Sequence, residues 1–346
     1  MPPDIRAHLR AGQVIPALPL ALNRRRRWDP ARQRALIRYY ADAGVGGLAV
    51  GVHSTQFAIR DPKVGLFEPV LDLAATTARA WVNPAKRPFI LIAGLCGRTA
   101  QALREARIAN RLGYHAGLLS LGAWSNTPER AVLAHCRRVA SEIPLIGFYL
   151  QPAVGGRVFS HKFWRRFAEI PELVAIKIAP FNRYRTLDVV RAVLEAGRDD
   201  VALYTGNDDN IIADLLTPFE FGGATRHIDG GLLGQWGVWT ERAVALFREI
   251  QKARLQKRPD RSWATRNAAL TDANAAIFDA ANDFAGCLPG IHEVLRRQGL
   301  LETNHCLDPQ ERVSPGQARE ITRVTRAYPW LVDDEFVSAN LDRWLG

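Results

Sequence analysis

Lys177 is the residue whose surroundings most invite chemistry. It sits in Leu173-Val-Ala-Ile-Lys-Ile-Ala-Pro180, apolar on both sides, whereas the lysines at 63, 86, 162, 252 and 257 stand in polar contexts. If this segment is a strand, alternation puts Lys177 on the face of Leu173 and Ala175, opposite Val174, Ile176 and Ile178. The branched side chains then pack on helices and the amine points the other way. Burial disfavours the charged form and lowers an amine's pKa, and a neutral amine attacks a ketone to give a Schiff base. The same pattern equally admits a lysine paired with a buried carboxylate, or one reaching out to solvent at the strand end.

A phenol stands near the end of a second apolar run, Pro144-Leu-Ile-Gly-Phe-Tyr-Leu-Gln151. Tyr149 shares its face with Leu145 and Gly147. Neighbouring strands lie about 4.8 Å apart, so on adjacent strands the phenol and the amine can meet, and the tyrosine can shuttle protons. Taken without the lysine, it reads more simply as a core tyrosine bonded to backbone. A third candidate is the loop Gly51-Val-His-Ser-Thr-Gln-Phe57. There the hydroxyls of Ser54 and Thr55, with exposed amides, suit a carboxylate, and His53 suits a substrate contact.

These residues need elements to hold them. Apolar runs at 14–22, 47–52, 88–96, 116–121, 144–151, 173–179, 201–206 and 222–228 alternate with helix-like stretches at 30–43, 64–81, 99–112, 128–141, 160–170, 183–196, 209–216 and 235–255. Asp29-Pro30, Thr127-Pro128 and Ser160 mark helix starts. Eight such βα units predict a (β/α)8 TIM barrel, which takes about 250 residues. A doubly wound open sheet is the competitor, but no glycine-rich dinucleotide loop follows the first run. From 256 the pattern turns helical throughout, at 264–284, 289–300, 315–328 and 333–345. The expected organisation is a barrel over 1–255 carrying the active site and a C-terminal helical domain over 256–346.

The chain has 346 residues and a net charge of +11, with 40 arginines to six lysines. The arginines spread along its length, and no helix-turn-helix, RRM or zinc-finger signature accompanies them, so a nucleic-acid partner is not expected. No apolar stretch reaches the length of a membrane span. Cys96, Cys136, Cys287 and Cys306 show no metal or scaffold spacing and read as reduced thiols of a cytoplasmic protein. The first 22 residues do not pattern as a signal peptide, because Pro16 and Pro19 break the apolar run. His53, His227, Asp208, Asp209 and Asp229 sit at expected strand ends, but without the spacing of a strong metal site, and no metal is expected. The glycine-rich segment 222–231 admits a phosphate cup, although a tight turn at the rim is preferred.

Three segments, Ala43-Gly-Val-Gly-Gly-Leu-Ala-Val50, Pro144-Leu-Ile-Gly-Phe-Tyr149 and Pro171-Glu-Leu-Val-Ala-Ile-Lys177, resemble the dihydrodipicolinate synthase and N-acetylneuraminate lyase family of class I aldolases. The resemblance covers roughly residues 10–250, and the run 203–208 is similar to the family's seventh strand. It implies Lys177 as the imine-forming amine and Tyr149 as the proton relay. By the same similarity Ser54, Thr55, His53, Trp124, Gly206 and Asn207 become substrate-binding positions. It further implies a 2-oxo acid substrate such as pyruvate, no cofactor, and a homo-oligomer, either a dimer or a tetramer.

The departures are specific. The family's Gly-Thr-Thr-Gly-Glu loop is replaced by Val52-His53-Ser54-Thr55-Gln56, its second relay tyrosine falls at Trp124, and its acceptor-binding arginine falls at Val154. They argue against dihydrodipicolinate synthesis itself and for a related aldolase or lyase, with a bulkier substrate suggested by Trp124. The alternatives are a barrel that only senses a 2-oxo acid, or a hydratase, dehydratase or decarboxylase working through the same imine.

Overall fold

The computed structural model describes residues 1–83, 87–256 and 260–346. Lys86 and Lys257 lie outside the described residues, and the expected boundary at 255/256 abuts the second gap. Ten strands form among the described residues, β1 (Val14–Pro16), β2 (Gly47–Val50), β3 (Ile90–Leu95), β4 (Ala116–Leu119), β5 (Leu145–Leu150), β6 (Leu173–Ala179), β7 (Ala202–Thr205), β8 (Phe219–Phe221), β9 (Ala224–Arg226) and β10 (Gly230–Leu233). Eight of them make one parallel sheet in the order β1-β10-β7-β6-β5-β4-β3-β2. A parallel bridge between Ala17 and Ala49 brings β1 back to β2 and closes the cylinder. The architecture is a (β/α)8 TIM barrel with a C-terminal helical extension.

The helices are α1 (Pro3–Arg10), α2 (Pro30–Ala43), α3 (Phe67–Trp81), α4 (Thr99–Arg111), α5 (Glu129–Ala140), α6 (His161–Ala168), α7 (Arg183–Glu195), α8 (Ile211–Leu216) and α9 (Thr240–Ala253), followed by α10 (Ser262–Ile277), α11 (Cys287–Arg297), α12 (Gln317–Ala327) and α13 (Asp334–Leu345). Local sequence sets several of their ends. Asp29 caps α2 by accepting from the amides of Ala31 and Arg32 ahead of Pro30, and Gly44 ends it at φ 90°. Ser160 and Asn182 cap α6 and α7 in the same way. No membrane-length apolar helix occurs among the described residues.

The apolar side chains divide into two shells. One lies between strands and helices; the other fills the lumen with Ile92, Leu118, Ile146, Phe148 and Ala175. Ile5 and Leu9 of α1 join the lumen shell, so this helix, unforeseen in the sequence, plugs the N-terminal end of the barrel. The Tyr204 hydroxyl donates to the Leu9 carbonyl at 2.7 Å and fastens the plug.

The eighth barrel strand is a correction. It was expected at 222–228, but Gly222 and Gly223 both have positive φ and turn the chain into the antiparallel β8–β9 hairpin. The strand that completes the barrel is β10. A Cβ on Gly230 would sit 2.5 Å from the Gln13 amide nitrogen, and one on Gly231 2.5 Å from the Trp236 ring. Two glycines are what let β10 lie against its neighbours.

The extension seats itself on the ends of the strands where a barrel carries its loops. Thr303 Oγ1 donates to the Leu22 carbonyl after β1, the Leu307 amide donates to Gln56 Oε1 after β2, and Asn274 Nδ2 donates to the Asp208 carbonyl after β7. Its C-terminal end is pinned by buried Asp333, which accepts from the Tyr39 hydroxyl at 2.8 Å, the Glu241 amide at 3.0 Å and Gln298 Nε2 at 2.8 Å. Asp333→Ala leaves the buried Tyr39 hydroxyl and the Glu241 amide without this acceptor, while Gln298 keeps Asp334, and is expected to lower stability by about 2–4 kcal/mol. Urea unfolding measures this as a lower midpoint at unchanged slope; an unchanged midpoint would show that Asp333 carries no such weight.

Candidate active site

Lys177 points into the lumen at the C-terminal end of β6. Its strand neighbours in register are Phe148 on β5 and Tyr204 on β7. Ala179 lies on its face, and a Cβ on Gly206 would fall 2.6 Å from Lys177 Cε and 2.8 Å from Ala179 Cβ. Small residues thus make the channel in which the lysine stem lies. Only 9% of the residue is exposed, and Nζ stands 4.5 Å from the centre of the Phe148 ring. Burial pushes the amine well below the usual lysine range, opposed by the Asp208 carboxylate, which favours the ammonium.

The pocket around the amine encloses about 660 Å³ of empty space including its mouth. His53, Ser54, Gln151 and Asp208 supply its polar groups beside Lys177. Burial raises Asp208 above the ordinary carboxylate range, and the lysine charge pulls it back. Lys177 and Asp208 therefore titrate as a pair, drawn toward each other's range near neutrality. His53 is driven down to about 4, first by burial and then by the lysine, so its ring is neutral at physiological pH.

The loop bearing His53 and Ser54 is braced from below. The Arg60 guanidinium pairs with Glu105 at 3.0 Å and donates to the carbonyls of Gly51 and Gly94 at 2.9 and 2.8 Å. Glu105 in turn accepts from the Cys96 amide at 3.0 Å. This buried pair couples the ends of β2 and β3 and fixes the height of the loop. Carbonyl partners on Arg60 and an amide partner on Glu105 satisfy groups that burial would otherwise penalise.

Of the expected site residues, Lys177, His53, Ser54 and Gly206 come together on this pocket. Tyr149 does not. It pairs in register with Ile178, not with Lys177, and so faces the helices. Its ring packs on Trp164 at 4.8 Å, and its hydroxyl accepts from the Phe159 amide at 3.4 Å. Gly147, on the same face, makes room for Phe167 of α6 rather than for the lumen. The phenol and the amine are on opposite sides of the barrel wall. The order within β6 also shifts: Leu145 pairs with Leu173 but Ile146 with Ala175, a bulge that turns Leu173 outward and Val174 inward.

Thr55, Trp124 and Asn207 are likewise placed away from the pocket. The Thr55 hydroxyl donates to the Leu18 carbonyl at 2.7 Å and accepts from the Gly51 amide at 3.0 Å, which commits it to holding the loop. Trp124 stacks on His135 at 4.5 Å beneath the Arg98 guanidinium and donates to the Gly97 carbonyl. Asn207 is wholly buried, accepts from the Phe181 amide and donates to Asp214 and Thr186. Asp229, weighed with His53 and Asp208 as a ligand, accepts from the Leu203 amide and Arg226 just before β10.

Sequence reasoning passed over Phe148, whose aromatic neighbour Tyr149 drew the assignment, and gave Asp208 no catalytic part. Phe181, and Phe278, Phe284, Cys287 and Ile291 from the extension, also line the pocket. No local signal marks these last residues, since their place depends on how the extension docks.

No family model matches the chain. Over 191 residues it is 29% identical to a 4-hydroxy-tetrahydrodipicolinate synthase of Azoarcus sp., covering 54% of this chain and 61% of that protein. Over 300 residues it is 23% identical to N-acetylneuraminate lyase 2 of Escherichia coli, covering 86% and 87%. The fold is similar to that of N-acetylneuraminate lyase from Fusobacterium nucleatum complexed with pyruvate, at 17% identity and a TM-score of 0.72, over 94% of this chain and 99% of the other. The match thus spans less than two thirds of the synthase and most of the lyase. Eight strands closed into a barrel, and sequence similarity to a synthase and to a lyase at low identity, make the chain similar to the dihydrodipicolinate synthase and N-acetylneuraminate lyase family.

Proposed function

We propose that this protein is a carbon–carbon lyase of the class I aldolase type, in which Lys177 forms a Schiff base with pyruvate or a related 2-oxo acid. The observation that carries the reading is a lysine held dry at the C-terminal end of a barrel strand, its pKa lowered by burial, at the floor of a pocket. The names of the relatives, a synthase and a lyase, and the pyruvate bound by the similar Fusobacterium enzyme add support.

In the proposed reaction the neutral amine attacks the 2-oxo carbon, and the carbonyl oxygen takes up a proton to give a carbinolamine. Loss of water leaves a protonated imine; as a hydroxyl on the second carbon out gives up its proton, the bond between the first and second carbons breaks and the outer fragment departs as an aldehyde or ketone. The electron pair flows into an enamine, which is reprotonated at carbon, and water then releases the product and restores the amine. Each step needs a proton donor or acceptor, and Tyr149 faces away. Asp208, raised toward neutrality, takes that role in our reading, because a group with a pKa near the working pH serves in both directions. The Ser54 hydroxyl and the neutral His53 ring hold the substrate carboxylate.

Dihydrodipicolinate synthesis itself is set aside in this reading. Val154, and no arginine, stands among the described lining residues where a second substrate's carboxylate would need a cation. A binding-only barrel is the second reading, favoured by the absence of Tyr149 and Thr55 from the pocket. A homo-oligomer, dimer or tetramer, remains part of the proposal on the strength of the resemblance.

Incubation with pyruvate and borohydride is expected to give a stable adduct on Lys177, seen as a mass increase that Lys177→Ala removes; an adduct on another lysine would end the assignment. Multiple turnovers with a cleavable 2-oxo acid separate the enzyme from the binding-only barrel. Because attack requires the neutral amine, trapping should rise with pH through a midpoint well below about 10.4, the ordinary lysine value. Asp208→Asn removes the charge that favours the ammonium, so that midpoint moves further down, while turnover falls by about 100-fold or more. A midpoint that rises or stays in place would take Asp208 out of the site. Tyr149→Phe should leave turnover close to the parent and cost about 1 kcal/mol of stability, and a large loss of turnover would restore the phenol to the mechanism.

A further inference from the structure

Two phenylalanines on the pocket wall have backbones that phenylalanine seldom adopts. Phe181, in the turn between β6 and α7, has φ 50°, and Phe284, in the turn between α10 and α11, has φ 67°. Positive φ in a bulky residue is an outlier that persists only where the surroundings enforce it, and such residues gather at ligand clamps. Here both are enforced. The Phe181 amide donates to Asn207 Oδ1 at 3.0 Å, and Asn207 is anchored on buried Asp214. The Phe284 amide donates to the Asp279 carbonyl at 3.1 Å, while the Asp279 carboxylate accepts from the Gly286 amide at 2.9 Å.

The two rings meet edge to face, 5.9 Å apart at 72°, one from the barrel and the other from the extension. Each is half-buried, with a face left on the pocket. Around them stand Leu150, Val154, Phe278 and Ile291, so the wall beyond Lys177, His53, Ser54, Gln151 and Asp208 is apolar. None of the 40 arginines of the chain is among the described lining residues. A phosphorylated or polyhydroxylated substituent placed there gives up its water without gaining partners. An aryl or branched alkyl group gains contact and sheds apolar surface.

We propose that the site takes a 2-oxo acid whose substituent beyond the carbonyl is aromatic or branched aliphatic, and that Phe181 and Phe284 grip this substituent. The chemistry of the substrate's oxo end rests on the Schiff-base reading above; the grip on its far end does not. Phe181 and Phe284 are specificity residues in this proposal, and the strained turns set where their rings stand.

The test compares pyruvate, 2-oxo-4-phenylbutanoate and a polyhydroxylated 2-oxo acid, 2-oxo-3-deoxygluconate, on the full chain. The concentration that half-saturates borohydride trapping is expected to be lower for the phenyl acid than for either of the others by about tenfold, the modest end of what burying a phenyl group yields. Phe284→Ala should shrink that ratio toward one, with Phe284→Leu, which keeps more of the volume, in between. Equal half-saturation for the three acids, or a preference for the polyhydroxylated one, overturns the proposal and leaves the imine chemistry intact. If no acid is trapped, the Schiff-base reading fails, and calorimetric titration of the same three acids decides the grip on its own. Tighter binding of the phenyl acid, weakened by Phe284→Ala, then upholds it, and no preference or no binding overturns it.

Discussion

Removing one ammonium group from water is the constraint around which the rest of the barrel is arranged. An isolated buried charge is among the costliest things a fold can hold, and Lys177 lowers that cost by tending to shed its proton. The structure leaves it room without offering it solvent. Ala179 and Gly206 clear a channel for the stem, Phe148 presents a ring face to the head, and Asp208 supplies an opposing charge whose own pKa burial has raised. The two shifts are linked, since each group is stabilised in its charged form by the other. In the proposed reading, a pair whose pKa values burial has moved toward each other suits the proton exchanges that imine formation requires.

Holding that pair dry requires a roof, and the extension provides it. Phe278, Phe284, Cys287 and Ile291 complete the pocket, and hydrogen bonds from Thr303, Leu307 and Asn274 fix the extension to the loops after β1, β2 and β7. Access to the amine therefore runs past residues that are not part of the barrel. The two elements also share one outer shell of apolar side chains, from Val14 to Trp344, so roof and wall are parts of one core.

Polar side chains beneath the pocket do positional work with little exposure. Arg60 and Glu105 couple the ends of β2 and β3, while Asp214 gathers Thr205, Asn207 and Arg183 under the end of β7. Through Asn207 this second cluster reaches the Phe181 turn, so a residue expected to touch substrate instead sets the backbone of one that lines the pocket. Thr55 is displaced from the substrate to the loop in the same manner. In both cases the hydrogen bonds of the side chain go to the chain itself.

The sequence by itself determined the barrel, the helical extension and the inward lysine. Ile176 and Ile178 have to cover helices, and the residues alternating with them are alanines and one amine, so β6 declares its two faces. On β5 it could not: Phe148 and Tyr149 are both aromatic, both sides of the strand are buried, and hydropathy does not tell lumen from helix layer. Register decided, with a bulge between Leu145 and Ile146 and the pairing of Phe148 with Lys177. The eighth strand hid for a related reason, since two glycines at 230–231 carry no side-chain pattern and gain meaning only from the crowding around them. Asp208 and the phenylalanine roof depended on tertiary structure throughout. What crosses a lumen is fixed by how strands close and how an extension docks, and alternation along one strand holds no record of it.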